Sequence, residues 1–374
     1  MAATEEPPRI MKAQFLDAFN QPYNFRETEV PTCSSPYDIL IKVDAASYCH
    51  TDAVLAAGLM PPNPASFPHV GCHEFAGRVV YLPSNASETA KQFPPGTRLG
   101  VPGRAFHPCG ACAECLDEST PYSDAAGYSV YCPKSANNGV SGPGGFREYA
   151  VVDARQVAPI PQGLDCVDVA PLMCAGVTIY SALIKCNLKP GQSVGISGCG
   201  GGLGHLGLQF ATKMGLKVFG IDAADKPLEL AMSLNTGSKL IDARTEDPES
   251  VVQELGREMG KTERSEMGLD AVIILPESQQ AFDYAVKLLR NRGKCIVVSF
   301  PEKGFNISSR DIVFRQISFE GSLVGSNRLL REMLKFAAEH QVKAVKRTYP
   351  LAKLNELVED YHKGAGGKLV IDMS

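Results

Sequence analysis

The sequence predicts an α/β protein in two parts: a β-rich first part, then a second part built on a doubly wound parallel sheet. Three observations carry that prediction. The chain has 374 residues and 44% hydrophobic content, more than a single core usually supports. The first half is a series of short β-rich stretches punctuated by proline and glycine, with no sustained helical period. After about Cys166 the pattern changes to strands alternating with amphipathic helices, which is βαβ organisation.

Taken in order, strands are expected at 37–43 and 75–81 within a first half, 10–164, that reads as irregular β structure. The second half opens with a strand at 193–197, a helix over 205–214 and a strand at 216–221. Asp225, with Pro227 in the first turn, reads as the cap of a further helix, and Asp247 with Pro248 repeats the device before 249–259. Strands follow at 269–275 and 294–299, then a helix over 327–340 and a closing strand, 368–372, that returns the chain to the first part. No internal repeat or low-complexity linker is present. The expected organisation is therefore a first domain over 1–165, a second over 166–325 and a C-terminal return over 326–374.

The formal net charge of -4 comes from 37 basic and 41 acidic residues with no long run of either sign. That gives no electrostatic footprint for nucleic acid or an anionic membrane and favours a small-molecule role. Residues 1–12 carry Glu5 and Glu6 and lack the features of a secretory signal, and the longest aliphatic runs, such as 271–275, are far too short to span a bilayer. A cytoplasmic protein is expected. Four of the twelve cysteines crowd into 109–132, and in a reducing compartment such clustering reads as metal ligation and not as disulfides. The sequons at Asn85 and Asn306 are then chance matches.

The strand at 193–197 runs into Gly198-Cys199-Gly200-Gly201-Gly202-Leu203-Gly204 and then a helix. Glycines there allow a tight turn and a close approach of backbone to a pyrophosphate at the helix N-terminus, the design of a Rossmann dinucleotide site. The spacing is untidy, because Gly198-x-Gly200 reaches Gly204 with one residue too many. Context supports it: Asp222 ends the next strand, 18 residues after Gly204, where a carboxylate would accept from the adenosine ribose hydroxyls. It would repel a 2′-phosphate, so NAD is favoured over NADP. The alternative is a surface aspartate capping a turn. Lys226 could steady either the ribose or a phosphate.

Cys109, Cys112 and Cys115 form a CxxCxxC cluster, and Cys132 lies beyond a sixteen-residue insertion, 116–131. This spacing suits a closed, structural zinc site. A second set is spread more widely: Cys49 in Cys49-His50-Thr51-Asp52, His73 in Gly71-Cys72-His73-Glu74, and Cys174. Two thiolates and one imidazole leave a fourth position for water or substrate, as a catalytic zinc requires. Singly, each could be an ordinary core residue.

Together these segments, with 321–326, resemble the zinc-containing medium-chain dehydrogenase/reductase family over nearly the whole chain, and within it the tetrameric, microbial alcohol dehydrogenase branch. The resemblance implies a GroES-like catalytic domain beside the Rossmann domain and a zinc-dependent alcohol/aldehyde oxidoreductase exchanging hydride with NAD. It implies Cys49, His73 and Cys174 as catalytic zinc ligands, Glu74 as an alternating ligand, and Asp52 as the partner that orients His73. Thr51 would pass on the alcohol proton, His50 would lie near the cofactor pyrophosphate, and Val324 would contact the nicotinamide carboxamide. It also implies a homo-oligomer, tetramer or dimer.

Two departures stand out. Val54 occupies a position where many members have a histidine that completes the proton relay, and Lys368 matches an arginine offered to the pyrophosphate. The chain has no Trp, and Leu59-Met60 and Arg104-Ala105-Phe106-His107 occupy stretches where small-alcohol enzymes place bulky rings. A roomier pocket is expected, one for a bulky substrate such as a secondary-metabolite aldehyde or lactol. The rival readings are a zinc-free enoyl or quinone reductase and a non-catalytic NAD-binding relative.

Overall fold

The computed structural model describes residues 7–60, 64, 66–118, 123, 128–364 and 366–374. Glu5 and Glu6, and 119–122 and 124–127 within the 116–131 insertion, lie outside the described residues. The chain divides into two compact units, Met1–Val177 with Gly325–Ser374, and Thr178–Val324.

The first unit, expected to be irregular, is organised around a seven-stranded sheet. Its central strand, Asp38–Tyr48, pairs antiparallel with Glu74–Tyr81, Tyr149–Asp153 and Lys368–Asp372. Being covered on both sides, it is buried along nearly all of its eleven residues, and so lacks the alternation that marks a half-exposed strand. Gly77 is required by this pairing, since a Cβ there would lie 2.0 Å from the Lys42 carbonyl oxygen. The core packs Ile39, Ile41, Phe75, Leu99, Phe146 and Ile371.

The boundary between the units falls after Val177 and not at 165. Cys166–Val169 and the 3-10 turn Ala170–Met173 carry the amphipathic look of the second half, yet they pack on the first sheet: a Cβ on Gly100 would come within 2.5 Å of the Met173 sulfur. Asp168 ties the segment further, through Lys343 at 2.7 Å and through Lys346.

The second unit holds six parallel strands in the order Lys239–Asp242, Lys217–Asp222, Ser193–Ser197, Leu269–Ile274, Leu289–Val297, Ser318–Gly321. Order reverses beside Ser193–Ser197, which creates the switch point where doubly wound sheets bind ligands. Asp247 caps the Pro248–Glu258 helix, its Oδ2 accepting from the Ser250 amide at 3.0 Å. Asp225 differs from expectation: it is the first residue of the Asp225–Ser233 helix, Ala224 precedes it, and its carboxylate is engaged by Arg244 at 2.5 Å. No single helix among the described residues is long and apolar enough to cross a membrane.

Candidate active site

Cys49 stands between the central strand of the first unit and the His50–Ala56 helix. Asp52, in the first turn of that helix, accepts from the Cys49 amide at 2.9 Å through Oδ2 and from the Cys72 amide at 2.9 Å through Oδ1. One buried carboxylate thus fixes two separate segments. Cys72 adopts φ 78°, in the left-handed region, and the next residue is His73. Asp52 Oδ1 lies 3.8 Å from His73 Nδ1, a buried nitrogen with no hydrogen-bond partner. Cys174 follows the Ala170–Met173 turn, and the Ala175–Cys186 helix begins just after it.

The ligand atoms of Cys49, His73 and Cys174 lie within 4.8 Å of one another, so the structure gathers three residues spread over more than a hundred positions. The Cys49 thiol is held well below its usual value, first by a sulfhydryl hydrogen bond from Cys174 and then by the charges of His73 and Lys368. That same contact, with burial, holds Cys174 up. Two sulfurs sharing a proton beside an imidazole can accept a divalent cation once that proton is lost.

Glu74 and Lys368 are paired with each other. Glu74 stands outside the ligand triad: Oε1 accepts from Ser47 Oγ at 2.9 Å and from Lys368 Nζ, and Oε2 accepts from the Ala175 amide at 3.3 Å. Lys368, 4% exposed, also donates to the Tyr48 carbonyl at 2.9 Å, so its ammonium takes part in a buried ion pair. Each charge compensates the other, as burial demands. Burial pushes the Glu74 carboxyl up, to about 8, against the pull of Lys368. For Lys368 burial pulls downward, and the charges of Glu74 and Cys49 outweigh it.

Beside the triad, Thr51 Oγ1 lies 3.8 Å from the Cys49 sulfur. His50 Nδ1 is hydrogen-bonded to the Tyr361 hydroxyl at 2.8 Å. Val54, in the same helix, offers no titratable atom.

In the second unit the seven-residue glycine spacing is accommodated without loss of the turn. Gly198 takes φ +79°, a Cβ on Gly200 would lie 2.0 Å from the Pro227 carbonyl oxygen, and one on Gly204 would lie 2.1 Å from that of Gly198. Gly201, Gly202 and Leu203 bridge them, and the Gly204–Lys213 helix follows. Asp222 Oδ2 accepts from the Gly200 amide at 3.2 Å. A cavity of about 330 Å³ opens there, lined by Gly198, Asp222, Arg244, Pro276 and Tyr284 among others. Lys226 is exposed in the first turn of the next helix. Val324 is buried at φ 49°, a conformation a β-branched residue seldom adopts and one that accumulates at functional sites.

The sulfurs of Cys109, Cys112, Cys115 and Cys132 form a second group within 4.8 Å, and Cys132 is a full member. Its sulfur accepts from the Cys109 amide at 3.4 Å and lies 3.9 Å from that of Cys112. The Ala111 amide, first among several donors, brings the Cys109 thiol down to about 6. All twelve cysteines are free thiols.

Sequence reasoning passed over Ser47 and Cys72, and read Arg104 only as part of the 104–107 stretch. Ser47 and Cys72 adjoin recognised motifs but carry no pattern of their own. Arg104 is a lone, half-buried cation between Gly103 and Ala105.

Two family descriptions match, "Alcohol dehydrogenase GroES-like domain" over residues 35–162 and "Zinc-binding dehydrogenase" over 202–339. An alcohol dehydrogenase of Geobacillus stearothermophilus is 34% identical over 364 residues, 97% of this chain and 99% of the relative. The chain belongs to the zinc-binding alcohol dehydrogenase family. As a member of this family it is an alcohol oxidoreductase with a nicotinamide cofactor, acting on small molecules. Solved structures agree on the fold: an alcohol dehydrogenase from Thermotoga maritima superposes with a TM-score of 0.83 at 23% identity, covering 97% of this chain and 99% of that one. An acetophenone reductase from Geotrichum candidum, solved in complex with NAD, gives 0.79 at 23% identity, with 98% of each chain covered.

Proposed function

We propose that Cys49, His73 and Cys174 hold a catalytic zinc, and that the protein oxidises a bulky alcohol, or reduces the matching aldehyde, with NAD. The observation that carries this reading is the convergence of two thiols and one imidazole within 4.8 Å, a donor set suited to zinc and one ligand short of a closed tetrahedron. The His73 nitrogen facing Asp52 is buried without a hydrogen-bond partner at 3.8 Å from its carboxylate, which fits an imidazole whose other nitrogen ligates. Zinc bound there supplies a Lewis acid for the alcohol oxygen, and NAD supplies the hydride acceptor.

The remaining work falls to the chain's own residues. Thr51 accepts the alcohol proton at its hydroxyl oxygen as its own hydroxyl proton passes on. His50, held by Tyr361, is a titratable group one residue away and offers an exit that Val54 cannot. Glu74 keeps Lys368 in place under the triad and anchors the Ala175 amide beside Cys174, a supporting role in place of ligation. Asp222, with the Gly198 turn, accepts from the ribose hydroxyls and disfavours a 2′-phosphate, so NAD is the favoured cofactor. Cys109, Cys112, Cys115 and Cys132 hold a structural zinc.

The substrate is bulky because two positions of the 104–107 stretch offer a small or turned-away side chain: Ala105 is small and buried, and His107 is drawn off to Asp38 at 2.6 Å. A cytoplasmic setting suits twelve cysteines of which none forms a disulfide, and a homo-oligomer suits the family. A zinc-free enoyl or quinone reductase would need neither cysteine set, and a non-catalytic relative would have no use for an open ligand triad. Spectrophotometric NAD⁺ and NADP⁺ reduction with a panel of alcohols tests the reading: bulky primary alcohols should outperform ethanol, with NAD⁺ preferred. Ethanol as the best substrate, or no alcohol oxidised with either cofactor, would overturn it.

A further inference from the structure

A second feature of the triad's surroundings bears on the substrate. Gly103 packs against His73 so closely that its amide donates to the His73 carbonyl at 2.6 Å and a Cβ would fall 2.3 Å from that of His73. The next side chain, Arg104, is therefore introduced beside His73 of the triad. It is half-buried, and its Nε is fully enclosed with no hydrogen-bond partner. Among the described residues no carboxylate pairs with it. Burial pulls its pKa downward, and the charge of Cys174 is the main influence opposing that pull.

A half-buried guanidinium whose Nε is enclosed without a partner carries a desolvation cost that a counter-charge would offset, and the loaded triad does not supply one, because two thiolates and a divalent zinc sum to zero. A bound molecule can supply that counter-charge. We propose that Arg104 selects alcohols and aldehydes that carry a carboxylate, which it binds while the carbinol end of the molecule occupies the open position of the triad. A single cation matches a single negative charge, and the planar fork of a guanidinium fits a carboxylate in two parallel hydrogen bonds. This inference rests on the reading of the triad as the alcohol-oxidising centre, and it narrows the substrate class from bulky to bulky and anionic.

The test compares 4-(hydroxymethyl)benzoate with 4-(hydroxymethyl)benzamide, and ω-hydroxycarboxylates of graded length with the corresponding 1-alkanols, using wild type, Arg104→Gln and Arg104→Lys. Wild type should favour the best carboxylate over its neutral partner by roughly tenfold to a hundredfold in kcat/KM, expressed mainly in KM. Arg104→Gln should bring that ratio to about one, and Arg104→Lys should restore part of it. Calorimetry with unreactive 4-methylbenzoate and 4-methylbenzamide gives a readout independent of turnover, with tighter carboxylate binding lost in Arg104→Gln. Neutral alcohols turned over as well as carboxylates, or a preference unchanged in Arg104→Gln, would overturn the role of Arg104 while leaving alcohol oxidation standing. Failure of every alcohol would instead remove the underlying reading.

Discussion

Asp52 and His73 stand 3.8 Å apart, oxygen to nitrogen, across a gap held open by the amides of Cys49 and Cys72, both of which donate to the same carboxylate. Asp52 is thus a backbone clamp first and a histidine partner second. Asp52→Asn keeps the shape but turns one acceptor into a donor that faces an amide. Zinc affinity at the triad should fall about 10-fold to 100-fold, read by chelator competition, with the structural site unaffected. Unchanged affinity would show that the ring of His73 is oriented by packing alone.

The Glu74–Lys368 pair is fully enclosed, so the cost of removing one partner should exceed that of removing both. Lys368→Met strands a buried carboxylate and should cost about 3–5 kcal/mol in urea unfolding. The double variant Lys368→Met, Glu74→Gln should recover much of that loss. If the single and double variants unfold alike, the pair is not coupled as its geometry indicates.

In the second unit, Gly200→Ala places a methyl 2.0 Å from the Pro227 carbonyl oxygen, and backbone cannot yield as a side-chain tip can. The variant should lose about 1–3 kcal/mol of stability and bind NAD⁺ at least tenfold more weakly by fluorescence titration. Gly201→Ala, whose nearest neighbour would be 3.4 Å away, should be far milder. The contrast between adjacent glycines checks which of them the turn needs.

Acid should loosen the segment that delivers Cys174. Burial would raise the Asp168 carboxyl, but Lys343 and Lys346 hold it below the ordinary value of 3.8. A group depressed on folding stabilises fully above its unfolded value and loses that contribution as the pH falls through the folded one. Wild type should therefore lose stability below about pH 4 more steeply than Asp168→Asn, which should already be weaker at neutral pH by about 1–3 kcal/mol. Parallel acid profiles for the two proteins would contradict this.

The alternation after Cys166 made the parallel sheet readable, because each of its strands and helices carries its own period. The helix Asn327–His340 and the strand Lys368–Asp372 were readable end to end for the same reason. The first sheet was harder to see. Its central strand is buried on both faces and joins partners from residues 74–81, 149–153 and 368–372, pairings that leave no local pattern. The segment 166–173 misled for the opposite reason, since its local helical character says nothing of which sheet it covers. At the site, the cysteine lobe was visible because its ligands lie close in sequence. The Glu74–Lys368 pair spans 294 positions, and only folding brings it together.

The most direct test of the central claim is zinc content measured together with NAD⁺ reduction for wild type and Cys49→Ala. Wild type should hold about two zinc ions per chain. Cys49→Ala should retain about one, keep its fold by circular dichroism and lose alcohol turnover. A Cys49→Ala protein that keeps substantial turnover after its triad zinc is gone would contradict the account.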